Sequence, residues 1–292
     1  MEQEITLTTE MLAASDGLGL HRSSFVPPRP RAQLILVHGY ADHQGRYAQL
    51  RRELALAGLS SHMVDLRGHG RSGGARGHIA RFADYLTDLR VLQAQVRKEA
   101  PELPLFLVGH SMGGLIVLLE ALEHPAGLAG VVASGPMLGL AMPVPGWKKL
   151  LGRVVSAIWP GLAMSNGIQP EMLSHDPAVR EAFGSDPLRH RVATARWFTE
   201  AEAAMAAIEQ RAEQLEVPSL FLLGSEDPII DQGVVRRFSA RVPPTAHELV
   251  CFEGLLHEVW LELPPGGEQA RQRLISWVGQ RLELAPAVRT EP

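Results

Sequence analysis

Cys251 is the only cysteine in the 292 residues. No disulfide can close within the chain, and cysteine usage leaves the redox compartment open. Cys251 lies in the strand-like run Glu248–Phe252, where a small buried hydrophobe is expected rather than a nucleophile. Lysine is almost missing: of the 28 basic residues only Lys98, Lys148 and Lys149 are lysines. The formal net charge of −4 argues against nucleic acid as a partner. Neither a G-x-G-x-x-G turn nor a phosphate loop occurs, so no nucleotide cofactor is implied. His43, His62, His69 and His78 have no tight ligand spacing and no second cysteine to support them, so no metal is expected. The first residues, Met1-Glu2-Gln3-Glu4, have neither the basic region nor the apolar stretch of a signal peptide. Pro125 to Trp147 carries no charge and is long enough to span a membrane. It contains Pro136, Pro143, Pro145 and several glycines, and reads better as a strand leading into an inserted lobe. The expectation is a cytoplasmic protein that touches membrane or micelle surfaces transiently without crossing them.

What is present alternates. Hydrophobic residues make up 46% and charged residues 21%, ordinary for a globular protein. Ile5–Thr9 and Gly19–Phe25 read as an opening antiparallel pair. Ala32–Val37 and Ser61–Val64 read as strands, with helical spacing over Arg46–Leu56 between them and over Phe82–Glu99 after them. Pro104–Val108 and Leu128–Ser134 are strands on either side of a helix over Gly114–Glu123. After a long interruption come a strand over Ser219–Leu223, a helix over Gln232–Ala240, a strand over His247–Phe252 and a helix over Gln269–Leu284. Such alternation predicts an α/β fold with a mostly parallel central sheet and helices on both faces. No internal repeat interrupts it. The interruption carries three of the five tryptophans, Trp147, Trp159 and Trp197, together with Met137, Met142, Met164 and Met172. We read residues 137–205 as a helical cap inserted into a core formed by 1–136 and 206–292. Loops at the carboxyl ends of strands carry the ligand contacts in sheets of this kind. A helical excursion packed on the sheet edge, without substrate contact, is the competing account.

The most informative stretch is Gly109-His110-Ser111-Met112-Gly113, at the junction of a predicted strand and helix. Glycines on both sides let the backbone turn sharply and push a serine hydroxyl above the sheet, the geometry of the nucleophile elbow. A turn needed only for close packing would explain the glycines but not the serine. A serine needs a base, and the base needs a carboxylate to orient it. In the α/β-hydrolase fold these follow in the order Ser, Asp or Glu, His, at the ends of later strands. Asp227 fits the acid, three residues past Gly224; Glu226 is expected to face solvent and Asp231 to cap the next helix. His257 fits the base, after the last strand. His124, His175, His190 and His247 fall on a helix end, in the cap, or at the wrong end of a strand. The N–H groups of Met112 and Tyr40 are the expected oxyanion donors, with His38 packed beneath that turn.

These motifs resemble the monoacylglycerol lipase and lysophospholipase-like serine hydrolases of the α/β-hydrolase fold. The resemblance runs through His38-Gly39-Tyr40-Ala41-Asp42-His43 with Arg46-Tyr47, Asp65 to Ser72, and Arg76-Gly77-His78-Ile79 with Phe82, Tyr85 and Asp88. It continues at the serine turn, at Asp186-Pro187-Leu188, and at Gly224 to Asp227 with Glu253-Gly254 and His257. It implies a Ser111–Asp227–His257 triad and a cap over an apolar acyl tunnel, with no cofactor. Relatives often have Glu where Asp42 stands and a smaller residue where Tyr40 stands, and the Tyr40 ring would narrow the acyl pocket. Tyr40, Met137, Met142, Trp147 and Met164 are the expected lining. The function implied is hydrolysis of monoacylglycerol-like single-chain lipid esters through an acyl-enzyme, with lysophospholipase or general carboxylesterase as the near alternatives. A proline-type aminopeptidase would need a carboxylate for the free amine, and Glu200 and Glu202 have instead the spacing of an exposed helix face. A non-catalytic binding protein would show a broken triad.

Overall fold

The computed structural model describes residues 5–141, 146–245 and 247–284, and only the helical backbone of residues 147–149. Its frame is an eight-stranded sheet. In chain order the strands and helices are β1 (Thr6–Ala13), β2 (Gly19–Val26), β3 (Ala32–Val37), α1 (Ala48–Leu56), β4 (Leu59–Val64), α2 (Ala83–Glu99), β5 (Leu105–His110), α3 (Met112–Glu123) and β6 (Leu128–Ser134). After these come α4 (Gly146–Ile158), β7 (Ala163–Ser165), α5 (Pro177–Ser185), β8 (Val192–Thr194), α6 (Ala195–Glu209), β9 (Ser219–Gly224), α7 (Gln232–Arg241), β10 (His247–Phe252) and α8 (Gly266–Leu284).

The sheet runs β1-β2-β4-β3-β5-β6-β9-β10. β1 pairs antiparallel with β2, and β2 antiparallel with β4; every pairing from β4 through to β10 is parallel. The inner strands β3, β4, β5 and β9 are buried along their whole length, as strands covered on both faces are; in β4 the polar Ser61 and His62 are hydrogen-bonded to Arg51 and Ser24. Alternate residues serve opposite layers. Leu34 and Leu36, Phe106 and Val108, and Leu220 and Leu222 pack with Leu50 and Leu54 of α1 and Leu274 and Trp277 of α8. Ile35 and Val37, Leu105 and Leu107, and Phe221 and Leu223 pack with α2, α3 and α7 on the other side.

The sequence expectations differ from the structure at a few ends. The helix expected from Arg46 begins as a 3-10 turn over Gln44–Tyr47 and becomes α-helical at Ala48. Helix α8 starts three residues before Gln269, at Gly266. Cys251 is half-buried rather than buried, because β10 is the edge strand and has a neighbour on one side only.

Between β6 and β9 the chain leaves the sheet and forms α4, the two-stranded ribbon β7–β8, α5 and α6. Helix α6 runs on past residue 205 to Glu209. Two ties hold this excursion to the β3–α1 turn. The His43 Nε2–H donates to Asp186 Oδ2 at 2.7 Å, the proton being on Nε2 because Nδ1 accepts from the Gly45 N–H. The Tyr40 hydroxyl donates to the Val192 carbonyl at 2.7 Å.

Candidate active site

Ser111 sits between the last residue of β5 and the first of α3, with φ 54° and ψ −117°. This is a conformation that residues other than glycine seldom adopt. The flanking glycines make it sterically feasible: a Cβ on Gly109 would strike the Gly113 carbonyl, and one on Gly113 would strike the Val37 carbonyl. The turn is also bonded in place. The Ser111 N–H donates to Ser134 O at 2.9 Å, and Ser111 O accepts from Met137 N at 3.0 Å. Met112 opens α3, where the first N–H groups have no acceptor within the helix and the helix dipole is positive.

Asp227 and His257 arrive from the loops after β9 and β10. Asp227 Oδ1 accepts from the N–H groups of Ile229 (2.8 Å) and Ile230 (3.1 Å), and Oδ2 meets His257 Nδ1 at 2.7 Å. An ionised carboxylate can only accept, so the proton sits on Nδ1 and Nε2 is left with its lone pair. Burial opposes charge on His257, yet the adjacent Asp227 carboxylate raises its pKa above the ordinary 6.5. Burial likewise opposes charge on Asp227, but the imidazole and the two backbone N–H groups hold its carboxyl below the usual range. The pair fits because Gly135, at φ 47°, has no side chain: a Cβ there would stand 3.1 Å from His257 Nδ1. His110 lies beside His257 with ring centroids 4.6 Å apart and the rings tilted by 48°; burial, aided by His257, pulls its pKa down to about 4.

Beside Ser111 lies the turn after β3. The Leu66 N–H donates to His38 Nε2 at 2.9 Å, so the His38 proton is on Nδ1 and donates to Gly39 O at 2.8 Å. A trans peptide points its C=O and N–H in opposite directions. Holding the Gly39 carbonyl therefore aims the Tyr40 N–H the other way, and no acceptor takes it among the described residues. A Cβ on Gly39 would lie 3.3 Å from Ser111 Cβ, which places this turn directly against the serine.

Ser111, His257, Gly39 and Tyr40 line one cavity of about 30 Å³. A larger cavity, about 240 Å³, opens between β2 and the 3-10 turn near His21 and His43, and none of Ser111, Asp227 and His257 lines it. The structure thus places Ser111 and His257 on one cavity and bonds His257 to Asp227. Asp231 caps α7 by accepting from Val234 N, and Glu226 is exposed. The expected lining is largely different. Met142 and the Trp147 side chain lie outside the described residues. Met164 is 60% exposed on β7, and Met137 is buried in the core under α3; neither lines the cavity. Tyr40 lines it, and its ring stacks on Trp197 at 3.6 Å.

The apolar wall comes from Ile168, Leu173, Phe183 and Ile229. Asp42, Arg46 and Glu258 line the cavity as well, a charged group that the sequence reading did not single out. Arg46 holds Glu258 through two bonds of 2.5 and 2.6 Å and reaches Asp42 at 3.2 Å, and Tyr47 donates to Asp42 at 2.9 Å. The four-residue spacing of Asp42 and Arg46 and the position of Glu258 next to His257 were the signals available. The partner of Arg46, 212 residues away, was not visible in either.

A parallel sheet with a serine on a strained strand-to-helix turn, and an Asp–His pair delivered from the two following strand ends, defines an α/β-hydrolase of the serine-hydrolase class. The family model for serine aminopeptidase, S33, matches residues 28–264, and the chain belongs to that family. It is 32% identical to the monoacylglycerol lipase of Mycolicibacterium smegmatis over 87% of this chain and 90% of that protein. Against human monoglyceride lipase it is 32% identical over 88% and 85%. The crystal structure of Paleococcus ferrophilus monoacylglycerol lipase superposes with a TM-score of 0.81 at 31% identity, covering 90% of this chain and 99% of that one. The protein is accordingly a serine hydrolase of carboxylic esters.

Proposed function

We propose that the enzyme cleaves monoacylglycerol-like single-chain lipid esters through a Ser111–His257–Asp227 triad and an acyl-enzyme. The observation that carries this reading is the Asp227–His257 bond, with His257 and Ser111 lining one cavity. His257 Nε2 takes the Ser111 proton as the hydroxyl attacks the ester carbonyl, and Asp227 holds the imidazole in the required tautomer. The N–H groups of Tyr40 and Met112 receive the oxyanion. His257 then protonates the departing alcohol, and in the second half it activates water to release the fatty acid.

The segment 137–205 serves as a cap in this reading, since Ile168, Leu173 and Phe183 reach from it to the cavity. Helix α4 exposes Leu150, Leu151, Val154 and Ile158, with Trp159 following. Such a stripe supports transient contact with a lipid surface. No described helix is long and apolar enough to cross a membrane. An aminopeptidase needs an uncommitted carboxylate for the substrate's amine. Asp42 and Glu258 face the cavity but are held by Arg46. Glu200 accepts from the Phe82 N–H, and Glu202 lies 3.7 Å from Arg153. Those commitments favour ester over peptide substrates.

The test is Ser111→Ala, assayed on a long-chain monoacylglycerol and with a fluorophosphonate label. Turnover and labelling are expected to vanish in a folded protein; normal labelling would remove Ser111 from the mechanism.

A further inference from the structure

The residues on either side of His257 are both bonded to one short stretch of the excursion, Leu173–His175. On the C-terminal side, the Glu258 N–H donates to the Leu173 carbonyl at 2.8 Å. On the N-terminal side, the Leu256 N–H donates to Glu262 Oε1 at 3.1 Å, and the same carboxylate reaches across to the excursion. Its Oε1 also accepts from His175 Nδ1 at 3.0 Å, and its Oε2 accepts from the His175 N–H at 3.0 Å. The Ser174 hydroxyl closes the joint by donating to Leu261 O at 2.9 Å. Ser174 is fully buried, and the Glu262 side chain is 1% exposed.

A carboxylate taken out of water is costly unless hydrogen bonds satisfy it. An ionised carboxylate only accepts, and the groups that face Glu262 from both segments are donors. An amide in its place would have one acceptor oxygen, and its NH2 would meet N–H groups. The carboxylate is therefore suited to gripping two separate pieces of chain at once. The bond from His257 to Asp227 sets the tautomer of the ring. How near Nε2 stands to Ser111 is set by the backbone that carries the ring, and that backbone is held on both sides through Leu173–His175. The same stretch supplies a wall of the site. Leu173 lines the cavity, and Asp176 caps α5 by accepting from the Ala178 N–H at 2.8 Å, the helix that brings Phe183 to the cavity.

We propose that Glu262 is a positioning residue that sets His257 against Ser111 by locking the His257 loop to Leu173–His175, so that this stretch belongs to the catalytic frame and not to any part of the excursion that moves. This rests on the triad reading and extends it. Glu262 touches neither substrate nor the reacting atoms; it acts through Leu256 on one side of the base and through the stretch that holds Glu258 on the other.

The experiment compares the wild type with Glu262→Gln on 1-dodecanoylglycerol and on p-nitrophenyl acetate, with rates expressed per site titrated by a fluorophosphonate. In the variant kcat should fall on the order of ten- to hundredfold for both esters, as a small misplacement of a catalytic group implies, with KM little changed. The acid limb of kcat/KM should also move to lower pH. Against burial, contact with Asp227 holds the His257 pKa above 6.5, and a loosened loop weakens that contact. A role in stability alone would lower the melting temperature and leave kcat per titrated site and the acid limb where they were. That outcome overturns the proposal, and so does a change confined to KM. Should Glu262→Gln not fold by circular dichroism, hydrogen exchange of the wild type decides. The amides of His175, Leu256 and Glu258 are expected to open together as one unit. A His175 amide that exchanges with those of Asn166 and Thr194, while Leu256 and Glu258 stay protected, overturns the proposal. If the wild type cleaves neither ester, it is the reading under Proposed function that fails, and the exchange measurement still decides whether the two segments are locked.

Discussion

Ala41 and Ser111 are the described residues other than glycine with positive φ, 56° and 54°, and they lie on the two turns that meet at the cavity. Holding an L-residue there costs about 1–2 kcal/mol. Ala41→Gly should therefore match or exceed the wild type in thermal melting, whereas the β-branched Ala41→Val should melt several degrees lower. The acid pair separates in the same manner. Asp227→Asn should lower kcat by about 10⁴, as the equivalent change does in serine proteases, while Asp231→Asn should cost only a fraction of a cap, within about 1 kcal/mol. His257 must be neutral to accept the Ser111 proton, and Asp227 raises its pKa above 6.5. Activity should thus fall, as the medium is acidified, at a midpoint above 6.5; a kcat/KM–pH profile with its acid limb below that value would contradict the pairing. At this scale Ser111, Asp227 and His257 could be singled out because each follows the end of a recognisable strand, and strand ends converge in a parallel sheet. The Arg46–Glu258 pair joins residues that only folding makes neighbours.

The elements were read from two periods. Short, mostly apolar runs bounded by turn residues gave the buried strands, and apolar residues three or four apart gave α2. The excursion between β6 and β9 resisted because its pieces are short. β7 and β8 have three residues each, too few to show any alternation, and the composition of the segment pointed to methionine and tryptophan where Ile168, Leu173 and Phe183 do the lining. Helix α4 has its own test. Leu151→Glu combined with Ile158→Glu alters side chains that are 54% and 80% exposed, so folding should be unaffected. Turnover of long-chain esters presented in vesicles should drop severalfold, while hydrolysis of a dissolved short-chain p-nitrophenyl ester should not. Equal effects on both would remove α4 from surface contact.

For the molecule as a whole, the size of the cavity has a kinetic consequence. About 30 Å³ beside Ser111 is room for a water molecule or so, whereas ligand sites for molecules of lipid size occupy roughly 300–1,000 Å³. On the reading proposed above, a lipid ester would need the excursion displaced, and only the fraction of molecules in that form would take it up. Observed affinity is then the intrinsic affinity diluted by that fraction. The Tyr40 hydroxyl holds the excursion at Val192 while the Tyr40 backbone faces Ser111, so Tyr40→Phe loosens the first and keeps the second. It should lower KM for long-chain esters with kcat little changed, as read from steady-state kinetics; a higher KM would mean that the tie shapes the site rather than shutting it. A lipid surface that favoured the displaced form would do for the wild type what the missing hydroxyl does for the variant, tightening binding without adding a single contact to the substrate.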